Sequence, residues 1–187
     1  SLIMQNKLEA FIDSYDYLTI LVDKSIDSKK KEFSLVDKKN LTNLEIISHV
    51  EEHNFNKYLV KFLPSIELNK DYKIIDELGN TTPLNSGSII REPEFEEKFY
   101  YDGPLGVEYS KSKTTFRIWS PVAKEIYIEL NIKGKSERHD LIYIDKGLWE
   151  VTVKGDLDSI GYLYFVRVFD RFIKINDPYA ISASANA

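Results

Sequence analysis

The chain has 187 residues, a formal net charge of −5 and no cysteine. That length suits two small domains and can bury roughly 70% of the unfolded surface, so a stable core needs no covalent staple. The absence of cysteine excludes a disulfide framework, thiolate catalysis and any Cys-based zinc or iron–sulfur site. No window approaches the roughly 18 apolar residues of a membrane-spanning helix, so no membrane partner is expected. The start, SLIMQNKLEAF, has no basic segment leading into an apolar one. No signal peptide is therefore expected, and the expected compartment is the cytoplasm. Residues 1–98 hold 13 basic and 18 acidic side chains, while residues 99–187 hold 12 of each. Neither part has the basic surplus that binds a polyanion, which argues against nucleic acid as a partner.

Taken in chain order, the first expected element is a short amphipathic helix near NKLEAFIDS. Strands follow near YLTILVD, FSLVDK, LEIISHV, YLVKFL and YKIIDEL, each rich in β-branched or aromatic residues. The intervening SIDSKKKE reads as a polar loop. LGNTTPLNSGS reads as hairpin and loop, because Gly and Asn tolerate positive φ and Pro interrupts a ladder. The charged REPEFEEK, residues 91–98, is the expected linker, dividing the chain into domains 1–98 and 99–187.

DGPLG then reads as a type I turn with Pro104 second and Gly106 fourth, since Leu105 does not suit type II. A strand ends at Pro121, which cannot donate to a ladder. Ile126, Ile128 and Leu130 alternate with Tyr127 and Glu129, and Trp149, Val151 and Val153 alternate with Glu150, Thr152 and Lys154. In GYLYFVRVF both alternating faces are apolar, which places that strand inside a sheet. Short strands at this spacing predict an all-β chain of two consecutive β-sandwich domains.

Chemistry-bearing motifs are sparse. His49, Glu52 and His53 fit the H-x-x-E-H spacing of inverted zinc proteases, which needs both histidines on one face of a helix. The surrounding LEIISHVEEHNFNKYLVKF alternates like a strand, so two solvated histidines at a strand end or loop are expected, and no metal. There is no phosphate-binding glycine loop, no G-x-S-x-G elbow and no visible catalytic constellation, and no cofactor is expected. Eight of the twelve tyrosines and both tryptophans lie after residue 99. Aromatic faces stack on sugar rings, yet tyrosine and tryptophan also fill sandwich cores with their polar tips at the rim. Trp119 and Trp149, inside alternating strands, are expected in the core. Phe172, after FDR at an expected hairpin, is the better candidate for an exposed carbohydrate-binding ring.

YYDGPLGVEYSKSKTTFRIWSPVAKEIYIEL, KGLWEVTVKGDL, GYLYFVRV and NDPYAISASAN, in that order, resemble the start of type I pullulanases, α-1,6-glucan debranching enzymes of the α-amylase superfamily. The resemblance implies that residues 99–187 form a family 48 carbohydrate-binding module, an immunoglobulin-like sandwich. Residues 4–98 look like the extra N-terminal β-domain of shorter bacterial members. It also implies a non-catalytic N-terminal region, because the superfamily's catalytic acids lie on a barrel of about 250 residues. The implied partners are α-glucan and that barrel. Binding members of the module use two tryptophans and a lysine. One tryptophan position corresponds to Phe172, the lysine position falls at or near Leu163, and the other tryptophan would fall near KGKSERHD. A free-standing glycan-binding module and a structural immunoglobulin-like module are the alternative readings.

Overall fold

The computed structural model describes residue 4 and residues 6–176. The chain divides into two compact units, Ser1–Phe95 and Glu96–Ala187.

The first unit contains strands β1 (Leu8–Ile12), β2 (Tyr17–Asp23), β3 (Phe33–Asp37), β4 (Asn40–Leu44), β5 (Ile46–Glu51), β6 (Phe55–Lys61), β7 (Lys73–Asp76) and β8 (Thr81–Ser86). They form one eight-stranded sheet in the order β4-β3-β7-β8-β1-β2-β6-β5. The sheet folds over on itself, because Phe33 of β3 meets Tyr58 of β6 edge-to-face at 5.3 Å although four strands separate them in the order. The result is a sandwich whose two layers share a core. Ile12, Leu18, Ile20, Val22, Val60 and Ile74 are completely buried in it. β2 is buried on both faces, as its unbroken run Leu18–Val22 requires.

A cation lies where the two layers meet. Only 3% of the Lys31 side chain is exposed, and its Nζ lies 3.5 Å from Asp27, 3.0 Å from Asp76 and 3.3 Å from Glu77. Asp27 also accepts hydrogen bonds from Asn56 Nδ2 and the Tyr58 hydroxyl of β6. Asp76, at the end of β7, accepts from the Asn80 amide and the backbone N–H groups of Leu78 and Asn80. The polar loop expected from SIDSKKKE is therefore a solvated segment with one buried ammonium.

Three local expectations are corrected. NKLEAFIDS contains a strand rather than a helix: Leu8, Ala10 and Ile12 are buried at period two, and β1 runs between antiparallel β2 and parallel β8. LGNTTPLNSGS supplies the expected hairpin turn, with Gly79 at positive φ between β7 and β8, but Thr81–Ser86 is strand β8 rather than loop. Pro83 is tolerated there because pairing to β1 begins only at Leu84, so its missing N–H falls outside that ladder. REPEFEEK carries the α-helix of the described residues, α1 (Pro93–Lys98), with proline at its first position and Phe95 buried.

The second unit is a sandwich of two four-stranded sheets. One contains β9 (Gly106–Tyr109), β10 (Lys113–Trp119), β13 (Ile142–Tyr143) and β14 (Leu148–Lys154), in the order β13-β14-β10-β9. The other contains β11 (Glu125–Ile132), β12 (Lys135–Asp140), β15 (Gly161–Arg167) and β16 (Phe172–Ile175), in the order β12-β11-β15-β16. Phe116, Ile118, Ile126, Ile128, Leu130, Tyr164 and Val166 fill the space between them. β15 is an inner strand, as its two apolar faces require. β10 ends one residue before Ser120–Pro121.

The entry to this unit lacks the closing hydrogen bond of the expected type I turn. The chain bends at Gly103 with no Gly106 N–H to Gly103 carbonyl bond; the Tyr101 hydroxyl donates to the Pro104 carbonyl at 2.8 Å, and Gly106 enters β9 at φ 88°. A Cβ at Gly106 would meet nothing within 4 Å, so the constraint there is conformational.

Two experiments follow from this architecture. Burial pushes the Asp76 and Asp27 carboxyls up, but hydrogen bonds from Asn80 and Lys31, and from Asn56 and Tyr58, outweigh it and leave both below their ordinary value. Their contribution is therefore complete above the unfolded-state value of about 4 and is lost as pH falls through the lower folded values. Lys31→Met leaves three carboxylates uncompensated and is expected to cost about 3–5 kcal/mol at neutral pH. That deficit should shrink at pH 4.5, where protonation relieves the repulsion; urea unfolding at both pH values reads it. Gly106→Val is expected to cost about 1–3 kcal/mol, with Gly106→Ala also destabilising. A thermal midpoint unchanged in both variants would remove the positive-φ constraint.

Candidate functional site

Because Ile126, Ile128 and Leu130 point into the core, strand geometry turns Glu125, Tyr127 and Glu129 outward. On β15 the outward set is Leu163, Phe165 and Arg167, all half-buried. The register places Tyr127 directly opposite Phe165, and Phe165 opposite Lys174. The Tyr127 and Phe165 rings stack with centroids 4.7 Å apart and planes 9° from parallel. Phe172 reaches across from β16 to meet Tyr127 at 4.9 Å and 64°. From β12 on the other side, the Arg138 guanidinium carbon sits 3.8 Å from the centroid of Tyr127.

Charges flank these rings. Glu125 accepts from Arg138 Nη2 at 3.3 Å and from Arg167 Nε at 3.4 Å. Arg138 Nε also donates to Asp140 at 3.0 Å. The Asp140 hydrogen bond holds the guanidinium's pKa above its ordinary value. The outer face thus offers aromatic rings beside cationic donors, the mixture that orients a polyhydroxylated ligand.

Phe172 therefore belongs to a three-ring cluster and is half-buried there. Leu163 lies on the same face, opposite Glu129. Tyr127, Phe165 and Arg138 were not singled out from the sequence, although the alternation in KEIYIEL already turned Tyr127 away from the core. The two tryptophans differ. Trp149 is 5% exposed and donates from Nε1 to the Ser120 carbonyl at 2.9 Å, in the core as expected. Trp119 is half-buried on the other side of its sheet, with Nε1 shared between the carbonyls of Phe99 at 2.9 Å and Lys146 at 3.0 Å. The expectation of a core position for Trp119 is corrected, because an outward register position on β10 directs its ring to the segment that enters the unit.

His49 is exposed on β5 and stacks on Tyr58 at 4.7 Å, while His53 and Glu52 lie in the exposed connection to β6. The zinc-protease helix that their spacing would require is a hairpin here. Among the described residues no group of three or more histidine, cysteine or acidic side chains could hold a metal ion. The first unit also bears an open groove of about 1010 Å³, where Met4, Phe11 and Phe55 mix with Asp13, His53 and Lys57.

Two β-sandwich units in series, one with an aromatic and cationic outer face, define a tandem of β-sandwich modules. Residues 8–91 match the Pullulanase N1-terminal domain, and residues 104–180 match Carbohydrate-binding module 48, the isoamylase N-terminal domain. The chain belongs to the N-terminal region of the type I pullulanases. It is 27% identical over 190 residues to a pullulanase of Bacillus subtilis, covering 98% of this chain and 26% of that protein. The crystal structure of an Anoxybacillus pullulanase complexed with maltotriose superposes with a TM-score of 0.87 at 32% identity, over 93% of this chain and 26% of that one. The Bacillus subtilis type I pullulanase complexed with maltose gives 0.83 at 25% identity, over 93% and 25%. The chain thus spans about a quarter of the length of these relatives.

The tryptophans separate by experiment. Trp149→Ala is expected to cost about 3–5 kcal/mol, as truncating a core aromatic does. Trp119→Phe keeps a ring and loses only the shared N–H, for about 1 kcal/mol. Urea denaturation of both variants measures the difference.

Proposed function

We propose that this chain is the accessory region of an enzyme that hydrolyses α-1,6 branch links in pullulan, glycogen or starch. In this reading the chain has no hydrolytic activity of its own. Its modules dock on the catalytic barrel of the parent, and the second unit contacts α-glucan through its outer face. In this reading the domain junction falls at residues 98/99; matches that end at residue 91 and resume at 104, and a division into compact units between Phe95 and Glu96, support a junction in this stretch. The observation that carries the reading is the order of those matches, an N1 domain followed by a carbohydrate-binding module. It is supported by the Tyr127, Phe165 and Phe172 cluster lying on one face with Arg167 and Lys174. The relatives crystallised with maltotriose and maltose indicate the ligand class.

Glycoside hydrolysis needs two carboxyl groups held about 5–10 Å apart across a scissile bond. Incubated with pullulan, the purified chain is expected to release no reducing sugar. Maltooligosaccharides should bind weakly, with Kd on the order of 1 mM, or about −4 kcal/mol. Phe172→Ala should weaken that binding while leaving the fold intact. Turnover that co-purifies with the chain would overturn the accessory reading, and binding indifferent to Phe172 would move the glucan site off this face.

A further inference from the structure

We propose that the face of Tyr127 turned toward β12 is a sugar-stacking subsite, and that Arg138 holds it closed. The inference rests on the reading that this outer face meets α-glucan.

The geometry of one ring carries it. Tyr127 stands on β11, with β15 on one side and β12 on the other. Phe165 covers the β15 side with nearly parallel planes, and a second group only 3.8 Å from the centroid has no room on that side. The guanidinium therefore lies on the opposite ring face. Phe172 approaches steeply inclined to the ring, at 64°. Both faces are then taken, one by a neutral ring and the other by a charged group on a flexible stem. A pyranose offers its apolar C–H face to an aromatic ring. Of the two occupants, only Arg138 can move aside without dismantling a cross-strand aromatic pair.

Arg138 is also held there against its own register. Its cross-strand neighbour on β11 is Glu129, yet its charged bonds run to Asp140, directly opposite Tyr127, and to Glu125, the next outward position beyond Tyr127. Arg138, Glu125 and Asp140 have side-chain exposures of 48%, 43% and 69%. Ion pairs so exposed are weak and salt-screened. The cover is thus tethered by interactions that ionic strength loosens. A neutral glucan has no charge of its own to screen, so a salt effect on its affinity reports the tether.

Maltoheptaose titrated into the whole chain, followed by NMR chemical shifts, tests this with wild type, Arg138→Ala and Asp140→Asn. A cation–π contact at an exposed site corresponds to roughly a two- to five-fold change in an equilibrium constant. Arg138→Ala is expected to tighten binding by that factor, and Asp140→Asn by less. Wild-type affinity should rise between low and 0.5 M sodium chloride, with no such rise in Arg138→Ala. Adding Tyr127→Ala to Arg138→Ala should abolish the gain, with thermal unfolding confirming that the double variant is folded. Binding that is equal or weaker in Arg138→Ala overturns the closed subsite and leaves the glucan face standing. No detectable binding by either chain overturns both.

Discussion

Lys31 takes its charge into a place where almost none of its side chain meets water. Three carboxylates surround it there, and they arrive from separate parts of the chain: Asp27 from the loop before β3, and Asp76 and Glu77 from the end of β7. Asp27 is in turn gripped by Asn56 and Tyr58 of β6. One ammonium therefore ties together strands near the two ends of an eight-stranded sheet. Sheets of that size twist strongly and must curl, split or flatten. Here the fold-over is held by a polar node at its rim and by apolar packing inside. A buried ion pair contributes little net stability against an apolar substitute. Its stronger effect is on geometry, because other arrangements of these layers would strand three carboxylates away from their cation.

That node also marks where reading the sequence stops short. In SIDSKKKE three consecutive lysines look alike, and only the folded chain distinguishes Lys31 from Lys29 and Lys30. β1 shows a related ambiguity. In a segment as short as LEAFI, Leu8, Ala10 and Ile12 mark a strand face, whereas Leu8, Phe11 and Ile12 have helical spacing. Pairing on both sides settled the matter, and local propensity could not. Pro83 looked like a ladder breaker and instead sits where one ladder has not yet begun. What was legible came from long, unambiguous periods: KEIYIEL, GLWEVTVK and GYLYFVRV all fall on strands. The two-sandwich, all-β class follows from those runs and from the turn residues between them.

The outer face of the second unit repeats the lesson at the level of the site. Phe172 was visible from its place after a hairpin, and the ring does lie on the outer face. Its partners were not visible, because they depend on register between strands far apart in sequence. Tyr127 and Phe165 are separated by 38 residues of chain and face one another only through the β11–β15 pairing. Arg138 is harder still to find, since its backbone register points to Glu129 and its side chain goes elsewhere. β12 is an edge strand, and its sequence KSERHD is the kind of charged edge that discourages pairing with another chain. The same strand that protects the sheet thus supplies the group that caps the aromatic row.

This bears on how aromatic residues on a sheet should be read as binding signals. A count of exposed rings treats each as a platform, but cross-strand neighbours stand only about 5 Å apart and satisfy one another first. In such a row the interior ring faces are occupied by other rings, and only the ends of the row can receive a ligand. At one end here, toward β16, Lys174 lies beside Phe165. At the other end, toward β12, a guanidinium lies over the last ring. Guanidinium and sugar compete for the same aromatic surface, so the cationic residues that make such a face hydrophilic also set how readily it accepts a ring. Affinity on this kind of face is therefore governed less by the number of aromatics than by what tethers the cation at the end of the row.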